Sequence, residues 1–411
     1  MARLARQVRN AGLGGPAGVL AVGTSLANGL GYVLTVVGAR RLGPAEFGAF
    51  SALLALIVVG NVAALAIQAT TARAVATGRP AAPPVRAGLA VAMVLTAALA
   101  AVSPLLREGL HLPSVVAAIA AAVAIGGLAV AAPSLGIVQG RERFRLLAAL
   151  LAIQAALRVG GGLVGIAIRP TATAGLIGIA AGFVLAAVVA WTVARPAAAG
   201  ARSPALRATL SSGALLLGFV VLTNVDVMLA RHVLPADASG LYAAGSIFAK
   251  VVFWLPQFVP MLAFPAMTDP ARRRGAVTLG VLAVAASGGV LTLLAWLFSD
   301  TAVLLVAGDD YAELGPWVPG FAALGALYAL AHVLVYAHLA RGDRWTTAVL
   351  WTLLVGYVVV VETTAASLAD VLVPGLVTAG AVVCWGLLRE QAAFTRFVTP
   401  ARHRHHHPDQ R

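Results

Sequence analysis

Residues 16–69 read PAGVLAVGTSLANGLGYVLTVVGARRLGPAEFGAFSALLALIVVGNVAALAIQA. Two apolar runs, 16–38 and 47–69, flank a turn that holds Arg40, Arg41, Gly43, Pro44 and Glu46. Each run is long enough to cross a hydrocarbon layer of about 30 Å as a helix. An unpaired backbone amide costs several kcal/mol there, so helix is the only open conformation such a run can take. The stretch is a membrane hairpin. The same pattern recurs at 87–105, 114–138, 146–168, 174–194, 208–230, 241–266, 276–298, 315–339, 345–361 and 371–388. The spacing therefore predicts an all-α integral membrane protein of about twelve transmembrane helices.

Charge fixes an expected orientation. Arg3, Arg6 and Arg9 precede the first span, and the even-numbered gaps carry Arg73, Arg79, Arg86, Arg141, Arg143, Arg145, Arg195, Arg202, Arg207, Arg272, Arg273, Arg274, Arg341 and Arg344. The tail adds Arg389, Arg396, Arg402, Arg404 and Arg411, whereas the odd-numbered gaps hold only Arg40, Arg41, Arg107, Arg169 and Arg231. Counted by face this is 22 basic residues against 5. The bias places both termini in the cytoplasm of a plasma-membrane protein. One helix more or fewer would put later loops on the wrong face, so the alternation also supports the count.

Composition narrows the function. The chain is 60% hydrophobic and 11% charged, with a mean hydropathy of +0.93, which excludes an ordinary soluble domain. A net charge of +14 comes from arginines spread along the loops. It reads as topology and attraction to anionic lipid, with no nucleic-acid partner. The lone Cys384 lies in the last span, so no intrachain disulfide forms. The longest polar gaps, 71–86 and 299–314, are too short for a catalytic domain, and no phosphate-loop or zinc-protease motif is present. His403, His405, His406 and His407 read as part of a solvated tail rather than a metal site. No enzymatic reaction, metal or cofactor is expected.

The chain looks duplicated. Leu42-Gly43-Pro44-Ala45-Glu46-Phe47-Gly48-Ala49-Phe50-Ser51-Ala52 follows the first span, and Leu234-Pro235-Ala236-Asp237-Ala238-Ser239-Gly240-Leu241-Tyr242-Ala243-Ala244 follows the seventh. At an ungapped offset of 192, Leu42 meets Leu234, Gly48 meets Gly240, Phe50 meets Tyr242 and Ala52 meets Ala244. Glu142-Arg143-Phe144 likewise echoes Asp343-Arg344-Trp345. Repeats of six spans both begin on the cytoplasmic side, and a transported substrate usually binds at their interface. The expected divisions are an N-lobe at 1–194, a cytoplasmic linker at 195–207, a C-lobe at 208–388 and a flexible cytoplasmic tail at 389–411.

The segments ARRLGPAEFGAFSALLAL (39–56), NVDVMLARHVLPADASGLYAAGSIFAKVVFWLPQFVPMLAFP (224–265), VLLVAGDDYAELGPWVPGFAALGALY (303–328) and GRERFRLLAAL (140–150) resemble bacterial polysaccharide-unit flippases. These flippases fall within the multidrug/oligosaccharidyl-lipid/polysaccharide exporter superfamily. The resemblance implies two six-helix lobes around a central cavity. It also implies alternating-access movement of an undecaprenyl-pyrophosphate-linked oligosaccharide to the external leaflet, for cell-surface polysaccharide assembly. The implied partners are that lipid-linked substrate, membrane lipid and other polysaccharide-assembly proteins.

Polar side chains inside the spans are the candidate site, because charge in hydrocarbon is costly and rare. Arg158 lies roughly 18 Å along span five, and Lys250 roughly 14 Å along span eight, at 1.5 Å per residue. Both fall near the midplane, one per half. Gln154, one turn before Arg158, joins Asn61 and Asn224 as a candidate hydrogen-bonding partner for sugar. Guanidinium suits forked phosphate contacts and lysine a point charge. Asp226 either pairs with Lys250 or serves energy coupling. Pro256 and Pro260 should kink span eight, either as a gate or as a static bend. Two other classes stay open: a cation-coupled multidrug or metabolite exporter, and a membrane-embedded polysaccharide polymerase. The first needs buried carboxylates, of which Asp226 is the one clear case. The second needs a long external loop.

Overall fold

A computed structural model describes residues 16–194, 206–256, 271–339 and 343–398, together with 259, 263, 266, 267, 269 and 341. Pro260, linker residues 195–205 and the histidine-bearing tail lie outside the described residues.

The first hairpin is a single helix path, α1 (Pro16–Ala76), broken at Gly43. Gly43 has φ 65°, a left-handed backbone that a side chain disfavours, and Pro44 starts the second arm where its missing N–H costs nothing. There follow α2 (Ala82–Ala101), the short α3 (Ser103–Gly109), α4 (Val115–Gly140), α5 (Phe144–Ile168) and α6 (Ala172–Ala194). The second half contains α7 (Leu206–Leu222), α8 (Val225–Val233), α9 (Ala236–Trp254), α10 (Arg273–Leu297) and the short α11 (Ser299–Val306). A 3₁₀ segment (Asp309–Trp317), α12 (Val318–Leu339), α13 (Arg344–Thr364) and α14 (Leu368–Val398) complete it. No strand occurs among the described residues.

Nine described helices are long and apolar enough to cross a membrane, or ten if the bent pair α7–α8 is one span. The first of these contains both arms of α1, which separate at Gly43. The α9 helix, which carries Asp237 and Lys250, is not among them. With it, the rods follow the twelve expected spans in order. Their outer faces carry large apolar side chains such as Met93, Val94 and Trp296, each more than 60% exposed, as lipid contact requires. The molecule is a multi-pass membrane protein.

The short helices α3 and α11 were not foreseen, and α14 runs on to Val398, so residues 389–398 are helical rather than part of a flexible tail. The α9 helix ends at Trp254, and Leu255 and Pro256 make a turn, which fits a proline that cannot extend the ladder.

Within the first half, α1, α4, α5 and α6 pack on one another, and α2 lies on α4. Helices α5 and α6 meet backbone to backbone: a Cβ on Gly161 would lie 2.2 Å from the Gly178 carbonyl oxygen, and one on Gly178 would lie 1.9 Å from that of Gly161. Small residues are what allow close helix approach where no hydrophobic effect drives association. Gly178→Leu is expected to cost at least about 1–3 kcal/mol through forced separation of the two helices. Loss of monodisperse protein and a lower Tm check this, and an unchanged Tm would contradict the close crossing.

The second half packs α9, α10 and α14 around α12, with α13 against α14 and α7. At its arginine-rich end a buried ionic cluster joins several helices. Arg273 Nη2 donates to Glu390 Oε1 at 2.8 Å, and His338 Nδ1 lies 3.7 Å from the same oxygen. Arg389 forks onto Asp343, with Nη2 2.9 Å from Oδ2 and 3.0 Å from Oδ1. Burial pushes the Asp343 carboxyl up, but the bonds from Arg389 and the Trp345 amide outweigh it and hold the group below its ordinary value. The sign is that of a depressed acid: its contribution is complete above about pH 4 and fades only as pH falls further. Glu390→Gln leaves the Arg273 guanidinium buried without its counter-ion, so a loss of about 3–5 kcal/mol is expected. Thermal unfolding in detergent at constant lipid content measures it.

The two halves meet mainly through α1, which packs on α7, α8 and α9. A Cβ on Gly48 would lie 2.7 Å from Ser239 Oγ and 3.0 Å from the Gly240 nitrogen, and one on Gly240 would lie 2.0 Å from the Pro44 oxygen. Gly48 and Gly240 are the residues that the offset of 192 equates. A position that touches its own repeat equivalent lies beside a pseudo-two-fold axis, as in any isologous contact. Two pseudo-symmetric lobes therefore cross at these glycines, on the arginine-poor end.

Candidate functional site

In the N-lobe, α5 carries Arg158 against the first arm of α1. Its Nη2 would be only 2.9 Å from a Cβ on Gly31, so the guanidinium rests over a bare stretch of helix backbone. Its Nε is buried without a hydrogen-bond partner among the described residues, and so is the hydroxyl of Tyr32, the residue after Gly31. No acid reaches Arg158 within 4.0 Å among the described residues. Gln154, one turn earlier on α5, and Asn61 on the second arm of α1 are both partly buried. Gln68, a further two turns along that arm, is occupied by Gln139 at 2.8 Å.

In the C-lobe, the seventh span is broken. Helices α7 and α8 meet at 46°, and the break is closed by its own polar residues and by one from α12. Asn224 Nδ2 donates to the Val220 oxygen at 2.8 Å, Thr223 Oγ1 to the Phe219 oxygen at 3.2 Å, and Tyr328 OH to the freed Leu222 oxygen at 3.1 Å. Asn224, expected to meet sugar, thus has its amide engaged inside the break. Asp226 sits in the first turn of α8, where the helix N-terminus favours an anion. It is 2% exposed. Its Oδ2 accepts from Tyr242 OH at 3.3 Å, while Oδ1 has no partner among the described residues.

Lys250 lies two turns beyond Tyr242 on the same face of α9 and is partly buried. Its charge and that of Asp226 act on each other through space, but no ion pair of 4.0 Å or less joins them. Pro256 is buried just past the end of α9. His332 packs as a core ring, stacked on Phe219 at 5.1 Å. Among the described residues no group of three or more His, Cys, Asp or Glu could hold a metal ion.

The sequence reading missed Tyr32 and Tyr242, although a signal for the second existed. The offset of 192 sets Leu34 against Asp226 and Phe50 against Tyr242. Both N-lobe residues are buried, so the C-lobe carries an acid and a phenol where its twin is purely apolar.

No protein-family model matches the sequence, and no curated protein does. Solved structures match over nearly the whole chain. The lipid II flippase MurJ in an inward closed conformation gives a TM-score of 0.72 at 10% identity, covering 90% of this chain and 87% of that one. An inward-facing multidrug resistance MATE family transporter of the MOP superfamily gives 0.67 at 14% identity, covering 89% and 95%. The chain has the MOP transporter fold. A MATE protein in the bent conformation aligns at 0.56 and 13% identity, covering 93% and 97%. Within this fold the two cations come from opposite lobes: Arg158 lies near the middle of α5, whereas Lys250, expected near the midplane, lies one turn from the end of α9, because that helix stops at Trp254.

Proposed function

We propose that the chain is a flippase that moves a polyprenyl-pyrophosphate-linked oligosaccharide from the cytoplasmic to the external leaflet by alternating access. The observation that carries this reading is Arg158: a guanidinium within a membrane lobe, over bare backbone, with no acid within 4.0 Å among the described residues. An unpaired buried cation is costly and persists where an anion visits. A pyrophosphate offers the forked acceptors that guanidinium fits, while the lipid tail stays in the bilayer. Lys250 supplies the second charge from the other lobe, and Gln154, Asn61 and Tyr32 offer hydrogen bonds to sugar. The arginine-rich end faces the cytoplasm, and the protein works beside the enzymes that build and polymerise the sugar unit without catalysing a reaction itself. The likeness to a lipid II flippase supports the substrate class.

Leaflet assignment tests it. In cells lacking the protein, labelled polyprenyl-linked sugar should accumulate on the cytoplasmic side, and restoring the gene should return it to the outer leaflet. Intermediate that reaches the outer leaflet at the normal rate without the protein sinks the proposal. One observation favours a second reading, a cation-coupled exporter: the Oδ1 of buried Asp226, which has no partner among the described residues. Under that reading a soluble cationic drug, rather than a lipid-linked sugar, would be the cargo in vesicles.

A further inference from the structure

At the arginine-poor end, each lobe reaches across to the other through a side chain at the end of its first span. Arg40, at the end of the first arm of α1, donates from Nη2 to the Leu304 oxygen at 3.1 Å and also to the Leu305 oxygen. Both carbonyls belong to the last turn of α11 in the C-lobe. His232, near the end of α8, hydrogen-bonds through Nδ1 to the Gly109 oxygen, the last carbonyl of α3 in the N-lobe. Its Nε2 is 3.3 Å from Glu362 Oε2. The offset of 192 that superimposes Gly48 on Gly240 also superimposes Arg40 on His232. The short helices α3 and α11 stand at equivalent places, each after the third span of its lobe. The arrangement is therefore reciprocal. Each lobe caps orphan carbonyls at the C-terminus of the other lobe's short helix, where the helix dipole favours a donor or cation.

Arg231, beside His232, strengthens one side. It is 4% exposed, and its Nε donates to the Leu110 oxygen at 2.9 Å, Nη2 to the His111 oxygen at 2.6 Å, and Nη1 to the Ala45 oxygen at 3.1 Å. All three acceptors belong to the N-lobe. Nη1 also meets Ser239 Oγ at 3.0 Å, the residue that lies against Gly48. Phe47 of the N-lobe and Tyr311 of the C-lobe meet edge to face beside the crossing, with ring centroids 6.3 Å apart.

We infer that Arg40, Arg231 and His232 form a reciprocal latch that holds the external ends of the two lobes together and must release once per transport cycle. The latch rests on the alternating-access reading for its purpose, but its closure is geometric and is tested without transport. Carbonyl acceptors make it reversible. They bear no formal charge, and when the lobes part, water can replace the arginine donors at loop and helix-end oxygens. A carboxylate in their place would hold the guanidinium more tightly. Arg231, with three bonds to the other lobe, should dominate, and Arg40 and His232 should act as weaker, comparable arms.

Spin-label distances across the latch decide it. The labels go on Leu105→Cys in α3 and Thr301→Cys in α11, both exposed, in a Cys384→Ser background reconstituted in lipid nanodiscs. The parent should show a dominant short distance. Arg231→Gln should raise the ratio of long to short distances roughly tenfold, the size expected when charge-assisted hydrogen bonds are lost from one of two states. Arg40→Gln and His232→Gln should each produce a smaller rise, and their combination more than either. If Arg231→Gln fails to give monodisperse protein, the Arg40→Gln/His232→Gln double variant decides, because neither side chain is buried. Distance distributions that stay at the parent's values in all of these variants overturn the latch. Distances that shift as expected in vesicles that move no lipid-linked sugar keep the latch and count against the flippase instead.

Discussion

Arg158→Met should reduce lipid-linked sugar translocation about a hundredfold or more while leaving Tm unchanged or higher. The two effects have one cause. Removing one member of a satisfied buried charge pair costs about 3–5 kcal/mol, because the other charge is stranded. Arg158 has no such pair among the described residues: its Nε is orphaned, and no acid lies within 4.0 Å. Methionine therefore strands nothing in the resting state and removes an unpaired ion from a low-dielectric lobe. In the loaded state the balance reverses. A pyrophosphate that enters without its guanidinium is itself the stranded charge, and a few kcal/mol of lost stabilisation corresponds to the expected hundredfold effect. Arg158→Lys should fall between, since it keeps the charge and loses the fork. Gly31→Val should impair translocation with the arginine intact, because a Cβ there already crowds Nη2 at 2.9 Å. Vesicle translocation assays alongside thermal unfolding measure both halves. A large drop in Tm with Arg158→Met would show that the guanidinium is a structural group.

The architecture was legible because membrane helices leave two strong signatures, length of apolar run and asymmetry of arginine. Gly43, Pro44 and the two arms of α1 lie where the pattern set them. The repeat was legible in Gly48 and Gly240, and their contact in the structure gives that pairing a physical meaning. What escaped was short or tertiary. Helices α3 and α11 are too brief for periodicity to separate them from loop, and the continuation of α14 depends on Arg389 and Glu390 finding partners far along the chain. The break in the seventh span was hidden because Asn224 reads as a hydrogen-bonding partner for sugar and Thr223 gives no signal of its own. Only their bonds to the Phe219 and Val220 oxygens show that they close a gap in the helix ladder. Arg158 and Lys250 were found by cost alone, so their order in the chain was visible and their surroundings were not.

Asp226→Asn should abolish any response of transport to an imposed proton or sodium gradient while changing stability by less than about 1 kcal/mol. Asparagine has the same shape, and its Oδ1 can still accept from the Tyr242 hydroxyl. A structural ion pair would behave differently: the single variant would strand Lys250 at a cost of about 3–5 kcal/mol, and Lys250→Met would restore what was lost. The geometry speaks against that outcome, because no contact of 4.0 Å or less joins the two groups. The double-mutant coupling in stability should accordingly stay below about 1 kcal/mol, and Lys250→Met should not rescue transport in Asp226→Asn. A strong coupling with restored transport in the double variant would make the pair structural. The other lobe supplies an independent reason to expect weak coupling. At the equivalent positions Leu34 and Phe50 are 2% and 0% exposed, so the same helix crossing packs well with no ionisable group at all. The twin lobe does without this acid, and its Oδ1 has no partner among the described residues, which is why we propose it as the place for a coupling ion.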